Sequence, residues 1–218
     1  MKPDFWHDRW RGGQIGFHQP SVDASLRRFW PSLALPVSSR VFVPLCGKSL
    51  DLMWLCGLGH HVIGVELSDI ALQAFCMENG VPARRRPSSE FDLYSAPNLE
   101  LYRGDLYSMT SAMLGGVAAV YDRAALISWA PALRVPYVRH MAALTQPGSE
   151  TLLITLEYPQ EQMSGPPFSV DRDEVERLYS SHYAVRELDR RDVLPDESRM
   201  RARGVTRMAE VCCRATRL

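Results

Sequence analysis

The residues best suited to handling a nucleoside lie within one short stretch of the chain. Val43-Pro44-Leu45-Cys46-Gly47-Lys48-Ser49 forms a turn after an apolar run, and Glu66 closes a second apolar run about 20 residues beyond Gly47. Backbone N–H groups in such a turn approach a ligand closely, and a carboxylate at that spacing accepts hydrogen bonds from both hydroxyls of a ribose. Position alone also suits an exposed acid at the end of a strand. The string Gly47-Lys48-Ser49 has the ending of a phosphate-binding loop, but the full pattern needs glycine at position 42, and Phe42 stands there. The dinucleotide pattern G-x-G-x-x-G fails as well, since Gly47 is its sole glycine. A pyrophosphate needs several glycines so that backbone wraps it. One glycine beside a bulky Leu45 fits a nucleoside cofactor without phosphates, such as S-adenosylmethionine.

Two further groups follow apolar runs. Gly104-Asp105-Leu106 lies where an acid or a backbone group meets an adenine edge, and Tyr121-Asp122-Arg123 closes a buried run at a place where open α/β sheets bind ligands. Asp122 and Arg123 are expected to face the crevice or solvent; the alternative is that Asp122 caps the next helix and Arg123 pairs with an acid. No nucleophile motif is present, neither G-x-S-x-G nor H-E-x-x-H, and no cysteine has an evident base. His60 and His61 are adjacent, so on a strand they point to opposite faces and make poor ligands for one metal. Methyl transfer needs none of these groups, because a sulfonium activates its own methyl and the protein aligns donor with acceptor.

Composition narrows the classes. The 218 residues carry 25 basic and 25 acidic side chains, which gives no electrostatic case for a nucleic acid or membrane partner. The run Arg84-Arg85-Arg86, between Pro82 and Pro87, reads as a solvated loop. No apolar run reaches the ~20 residues that span a bilayer, and no signal-peptide stretch opens the chain. The five cysteines, odd in number and without a C-x-x-C pair, argue against a disulfide framework or metal site. A cytoplasmic monomer acting on a small molecule is the expectation.

The elements that must position these residues alternate from residue 40 onward. Strands are predicted over 40–44, 61–66, 99–103, 116–121 and 151–158, with helices over 49–56, 69–78 and 171–180. Ser68 is placed to cap the helix at 69–78, and Val175 and Leu178 should face inward on the last helix. Residues 123–144 read as helical, broken by Pro131 and Pro136. Two final strands, 183–188 and 205–215, suggest a hairpin and so an antiparallel strand near one edge. The pattern is α/β: a doubly wound, mostly parallel sheet with helices on both faces. One domain over 1–218 is expected, with a Rossmann-like core at 40–218. Residues 1–39 differ, being rich in Trp6, Trp10, Phe17, Phe29 and Trp30 with short helices at 4–11 and 21–29; they are either a packed flap or a cover that closes an apolar ligand against aromatic faces.

Several strings, in order along nearly the whole chain, sharpen this reading. They are Trp10-Arg11-Gly12-Gly13-Gln14-Ile15-Gly16-Phe17-His18-Gln19, Val43-Pro44-Leu45-Cys46-Gly47-Lys48, Gly59-His60-His61-Val62-Ile63-Gly64-Val65-Glu66, Tyr121-Asp122-Arg123-Ala124-Ala125-Leu126 and Gly165-Pro166-Pro167-Phe168. Together they resemble the thiopurine S-methyltransferase family. The resemblance implies a class I S-adenosylmethionine-dependent methyltransferase fold of seven strands, one antiparallel, beneath an N-terminal helical cover. It implies methyl transfer to aromatic or heterocyclic thiols. It places Trp10, Leu45, Glu66 and Arg123 at the cofactor, Asp105 and Leu106 near the adenine, and Phe17 in the acceptor pocket. Arg199, or else Arg201 or Arg203, would meet the substrate, and Arg123 or Arg199 would favour a thiolate. The loop 158–169 would form a second wall. Selenium or tellurium species are alternative acceptors, and a nicotinamide-dependent oxidoreductase is the alternative from another class; it explains Glu66 but not the missing glycines or the antiparallel strand.

Overall fold

The computed structural model describes residues 3–194 and 199–218. The chain divides into two compact units, Met1–Tyr121 and Asp122–Leu218.

The first unit opens with helices α1 (Pro3–Arg11) and α2 (Ala24–Phe29). The Asp23 carboxylate caps α2 by accepting from the Ser25 and Leu26 N–H groups. There follow β1 (Arg40–Val43), α3 (Asp51–Gly57), β2 (His61–Glu66), α4 (Asp69–Glu78), β3 (Arg84–Arg86), β4 (Asp92–Ala96), β5 (Leu99–Arg103), α5 (Ser111–Leu114) and β6 (Ala119–Arg123), whose last two residues fall in the second unit. The hydrogen-bonded order is β3-β4-β5-β2-β1-β6. β1 is parallel to β2 and β6, and β2 is parallel to β5. Val41, Phe42, Val62, Ile63 and Val65 are all fully buried, as continuous apolar strands covered on both faces must be.

β4 is antiparallel to both β3 and β5, and neither it nor β3 is apparent in the sequence. Arg84–Arg86, read as a loop, is instead an exposed outer strand. Three arginines offer no apolar alternation, so the strand owes its form to its neighbour: the Arg85 guanidinium donates to Asp92 Oδ2 at 2.6 Å across the pair.

The second unit contains α6 (Pro131–Leu144), β7 (Glu150–Glu157), α7 (Arg172–Tyr179), β8 (Tyr183–Asp192), α8 (Arg199–Ala202) and β9 (Ala209–Arg217), with β9 between β7 and β8 and antiparallel to both. The expected closing hairpin is therefore present. α6 is not broken. Pro131 occupies its first turn and Pro136 lies inside it, tolerated because Arg134, Tyr137, Val138 and Met141 bury one face. Val175 is buried on α7 and Leu178 is half-buried. Among the described residues there are nine strands, with β4 and β9 antiparallel to their neighbours, rather than seven with one.

Candidate active site

The turn after β1 is stitched onto the carboxyl end of β2. Cys46 N–H donates to the Val65 carbonyl at 3.0 Å, and Gly47 N–H donates to Glu66 Oε2 at 3.0 Å. From the other side Ser68 N–H donates to Glu66 Oε1 at 2.8 Å, and Gly104 N–H donates to the Glu66 carbonyl at 3.0 Å. Leu45 (φ 48°) and Gly47 (φ 55°) both adopt left-handed backbone. For leucine that conformation costs about 1 kcal/mol or more and marks a turn over-determined by its surroundings. Burial pushes the Glu66 carboxyl above its usual range, opposed by the N–H donors of Ser68, Gly47 and Leu67. Gly47 N–H takes Oε2 and Ser68 N–H takes Oε1, and a carboxylate's four acceptor sites leave capacity for a further hydroxyl donor.

Its neighbours are not poised for other chemistry. Lys48 Nζ lies 2.7 Å from Glu78 Oε1 in an ion pair. Burial raises the Cys46 thiol well above its ordinary value, so it is no ready nucleophile. Cys46 packs on Gly64, where a Cβ would fall 2.7 Å from its sulfur. Ser68 occupies the N-cap position of α4 without bonding through its side chain, contrary to expectation. Its N–H is held by Glu66 instead, and its hydroxyl is buried with no partner. Among the described residues no cluster of three metal-ligating side chains occurs.

The N-terminal segment meets this turn directly. Trp6 and Trp10 lie one helical turn apart on α1, and Phe17 packs edge-on against both, with ring centroids 5.8 and 5.5 Å away. Trp10, 6% exposed, lies close to the turn after β1: a Cβ on Gly47 would lie 3.4 Å from its ring. The next stretch is anchored by buried hydrogen bonds. Asp51 accepts from the Asp23 N–H at 2.8 Å and from the Tyr121 hydroxyl at 3.0 Å, and Trp30 Nε1–H donates to His60 Nε2 at 3.1 Å. Asp105 is exposed and caps a 3-10 turn by accepting from Tyr107 N–H at 3.0 Å, while Leu106 is buried. Both follow Gly104, the residue bonded to the Glu66 carbonyl.

In the second unit Asp122 faces neither crevice nor solvent. It is 1% exposed, accepting from the Tyr137 hydroxyl at 2.7 Å and from Leu126 N–H at 3.0 Å. Burial pushes its carboxyl up to about 6. Arg123, which ends β6, is half-buried. Arg199 begins α8; its side chain, and all of Glu197 and Ser198, lie outside the described residues. Arg201 donates to the Leu194 carbonyl at 3.2 Å. The loop 158–169 is pinned by its own side chains: Tyr158 donates to the Pro167 carbonyl at 2.6 Å, and Gln160 Oε1 accepts from Ser169 N–H at 2.8 Å.

The family model described as thiopurine S-methyltransferase matches residues 1–218. The chain belongs to the thiopurine S-methyltransferase family. A relative of that name from Pseudomonas fluorescens is 49% identical over 210 residues, covering 96% of each chain, and one from Bordetella parapertussis is 46% identical over the full length of both. Among solved structures, a 1,6-didemethyltoxoflavin-N1-methyltransferase of Burkholderia thailandensis, with S-adenosylhomocysteine bound, matches at 14% identity with a TM-score of 0.63, covering 98% of this chain and 87% of the other. A S-adenosylmethionine-dependent methyltransferase from Anabaena variabilis matches at 14% identity and 0.66, covering 99% and 95%. These structures share the class I methyltransferase fold.

Membership of the thiopurine S-methyltransferase family decides between the two nucleoside-cofactor readings, and the cofactor is S-adenosylmethionine. The residues fit that group. Glu66 offers a two-pronged acceptor for a ribose, and the Gly47 N–H that a phosphate would need is already committed to Glu66. Trp10, Leu45, Glu66 and, through Trp10, Phe17 come together in the first unit. Sequence reasoning did not find Asp51, nor that Tyr121 pairs with it to anchor the segment after α1. Their pairing spans 70 residues and leaves no local signal.

Proposed function

We propose that the protein transfers the methyl group of S-adenosylmethionine to the sulfur of an aromatic or heterocyclic thiol, such as 6-mercaptopurine, by direct in-line displacement. The observation that carries this reading is the Phe17 ring set edge-on against Trp10, which itself lies close to the turn that holds Glu66. A flat, polarizable acceptor pairs well with such faces and edges. When bound, the cofactor supplies an electrophilic methyl on a positive sulfur; the acceptor's sulfur forms the new C–S bond as the old one breaks.

In this reading Glu66 accepts from the ribose hydroxyls, Trp10 and Leu45 pack on the cofactor, Asp105 and Leu106 meet the adenine, and Arg123 contacts the cofactor. Phe17 and Arg199 contact the acceptor. Positive charge from Arg123 or Arg199 favours the thiolate, whose proton leaves to water before transfer.

The test is turnover with labelled S-adenosylmethionine, offering 6-mercaptopurine beside the oxygen analogue of the same ring. Methylated product from the thiol alone is expected. In the same assay a variant lacking both arginines should need a higher pH to reach half-maximal rate. Intact cofactor binding without product on the thiol would overturn the acceptor assignment, and an unchanged pH profile would overturn the arginines' role.

A further inference from the structure

We infer that Trp6 is a positioning residue for the methyl acceptor: it clamps Phe17 against Trp10 and so fixes the acceptor-facing ring relative to the cofactor turn. This rests on the assignment of Phe17 to the acceptor in the reading above. The geometry is a run of edge-to-face rings. Trp6 meets Phe17 edge-on at an interplanar angle of 78°, Trp10 meets it at 72°, and Phe5 buttresses Trp6 from behind at 5.2 Å. The Arg9 guanidinium covers the far Phe5 ring at 4.5 Å.

The backbone around Phe17 cannot do this work alone. Its loop contains Gly12, Gly13 and Gly16, and a Cβ on Gly13 or Gly16 would meet nothing within 4 Å. Backbone hydrogen bonds tie Gly12 N–H to the Asp8 carbonyl at 2.8 Å, Gly13 N–H to the Trp10 carbonyl at 3.3 Å and Gln14 N–H to the Arg9 carbonyl at 2.9 Å, and close a turn from His18 N–H to the Ile15 carbonyl at 2.8 Å. These bonds fix the loop's backbone to α1 and across one turn but do not orient the Phe17 ring, and a loop with three glycines has much freedom to lose. The Phe17 ring is therefore held by its ring contacts. Trp10 is one of these and also lies close to the turn, where a Cβ on Gly47 would come within 3.4 Å of its ring. Trp6 is another, meeting Phe17 edge-on from one helical turn before Trp10 on α1. Losing Trp6 should loosen the acceptor side while the Trp10–Gly47 contact, and with it the cofactor side, persists.

The experiment compares wild type, Trp6→Ala and Trp6→Phe by calorimetry. S-Adenosylhomocysteine is titrated first, then 6-mercaptopurine into the saturated protein, with kcat and KM measured in parallel. Trp6→Ala should bind the thiopurine about threefold to tenfold more weakly, the worth of one edge-to-face pair. The rise should fall on the thiopurine KM, with S-adenosylhomocysteine affinity within about twofold of wild type. Trp6→Phe should recover most of the loss. Should Trp6→Ala not fold, Trp6→Leu, which keeps the bulk without the ring, should show the same selective loss. Unchanged thiopurine affinity would overturn the inference, as would a loss of cofactor affinity in step with it. Wild type that takes S-adenosylhomocysteine but no thiopurine would overturn the acceptor reading and this inference together; wild type that binds both, with variants unaffected, would overturn this inference alone.

Discussion

Glu66 holds the fold locally and, in the proposed reading, serves the chemistry as well. Its two oxygens and its carbonyl gather N–H groups from the turn after β1, the start of α4 and the turn after β5. The carboxylate thus organises the site before any ligand arrives, and its remaining lone pairs face a job that only an acceptor can perform. Glu66→Gln preserves the shape but replaces one acceptor oxygen with an NH2 group, which opposes the N–H of either Gly47 or Ser68. A charge-assisted hydrogen bond contributes about 1.5–3 kcal/mol, so S-adenosylhomocysteine should bind the variant about tenfold to a hundredfold more weakly. Calorimetry measures this directly, and the fold should survive, as far-UV circular dichroism would report. Affinity within twofold of wild type would remove Glu66 from the ribose.

Among the elements, β2, α4 and β5 are legible in the sequence to the residue, because each is a strongly patterned apolar segment between clear stop signals, as with Asn79-Gly80 after α4. β3 and β4 are not, since Arg84–Arg86 takes strand form only by pairing with β4. Pro136 misleads for a related reason: the cost of its missing N–H is local, whereas the burial that holds α6 together is tertiary. The site divides the same way. Spacing exposed Glu66 and the turn, while Asp122 reads as a ligand-facing charge because its partner, Tyr137, is a helical residue with no sequence mark of the contact. Arg134 on α6 is the clearest feature that patterning hides. It is fully buried, yet it donates to Glu174 Oε2 at 2.6 Å, the Ser169 carbonyl at 3.0 Å and the Trp129 carbonyl at 3.1 Å. One rigid fork thereby joins α6 to α7 and to the end of the loop 158–169, a geometry that lysine cannot copy. Arg134→Leu should cost about 3 kcal/mol in urea denaturation, because it strands a carboxylate and two carbonyls. A loss below about 0.5 kcal/mol would show that water replaces the fork.

For the whole molecule, with 25 charges of each sign, the pH dependence of stability follows from groups whose surroundings change on folding rather than from net charge. Two sets oppose one another. Burial raises Glu150, but hydrogen bonds from Arg214 and Thr216 outweigh it and hold the carboxyl below its usual range, so its contribution is lost as pH falls. Burial keeps His60 neutral, and its contribution likewise fades on acidification below the ordinary histidine range. Asp122 acts in the other direction. Burial pushes it up to about 6 in the folded protein, whereas the unfolded chain releases that proton near 3.8. The folded state therefore binds the extra proton between those values, and the contribution from Asp122 is complete below the lower one and lost as pH rises through 6. The full difference amounts to about 3 kcal/mol. Asp122→Asn stays neutral throughout; its amide oxygen still accepts from Leu126 N–H, and its NH2 can donate to the Tyr137 oxygen. Subtracting the stability of the variant from that of wild type cancels Glu150 and His60, which both proteins share. By chemical denaturation, that difference should fall by about 2–3 kcal/mol between pH 4 and pH 7, the variant gaining on wild type as the medium becomes neutral. A flat difference would mean that Asp122 is already ionised at pH 4, and that the Tyr137 hydroxyl and the backbone donors outweigh its burial.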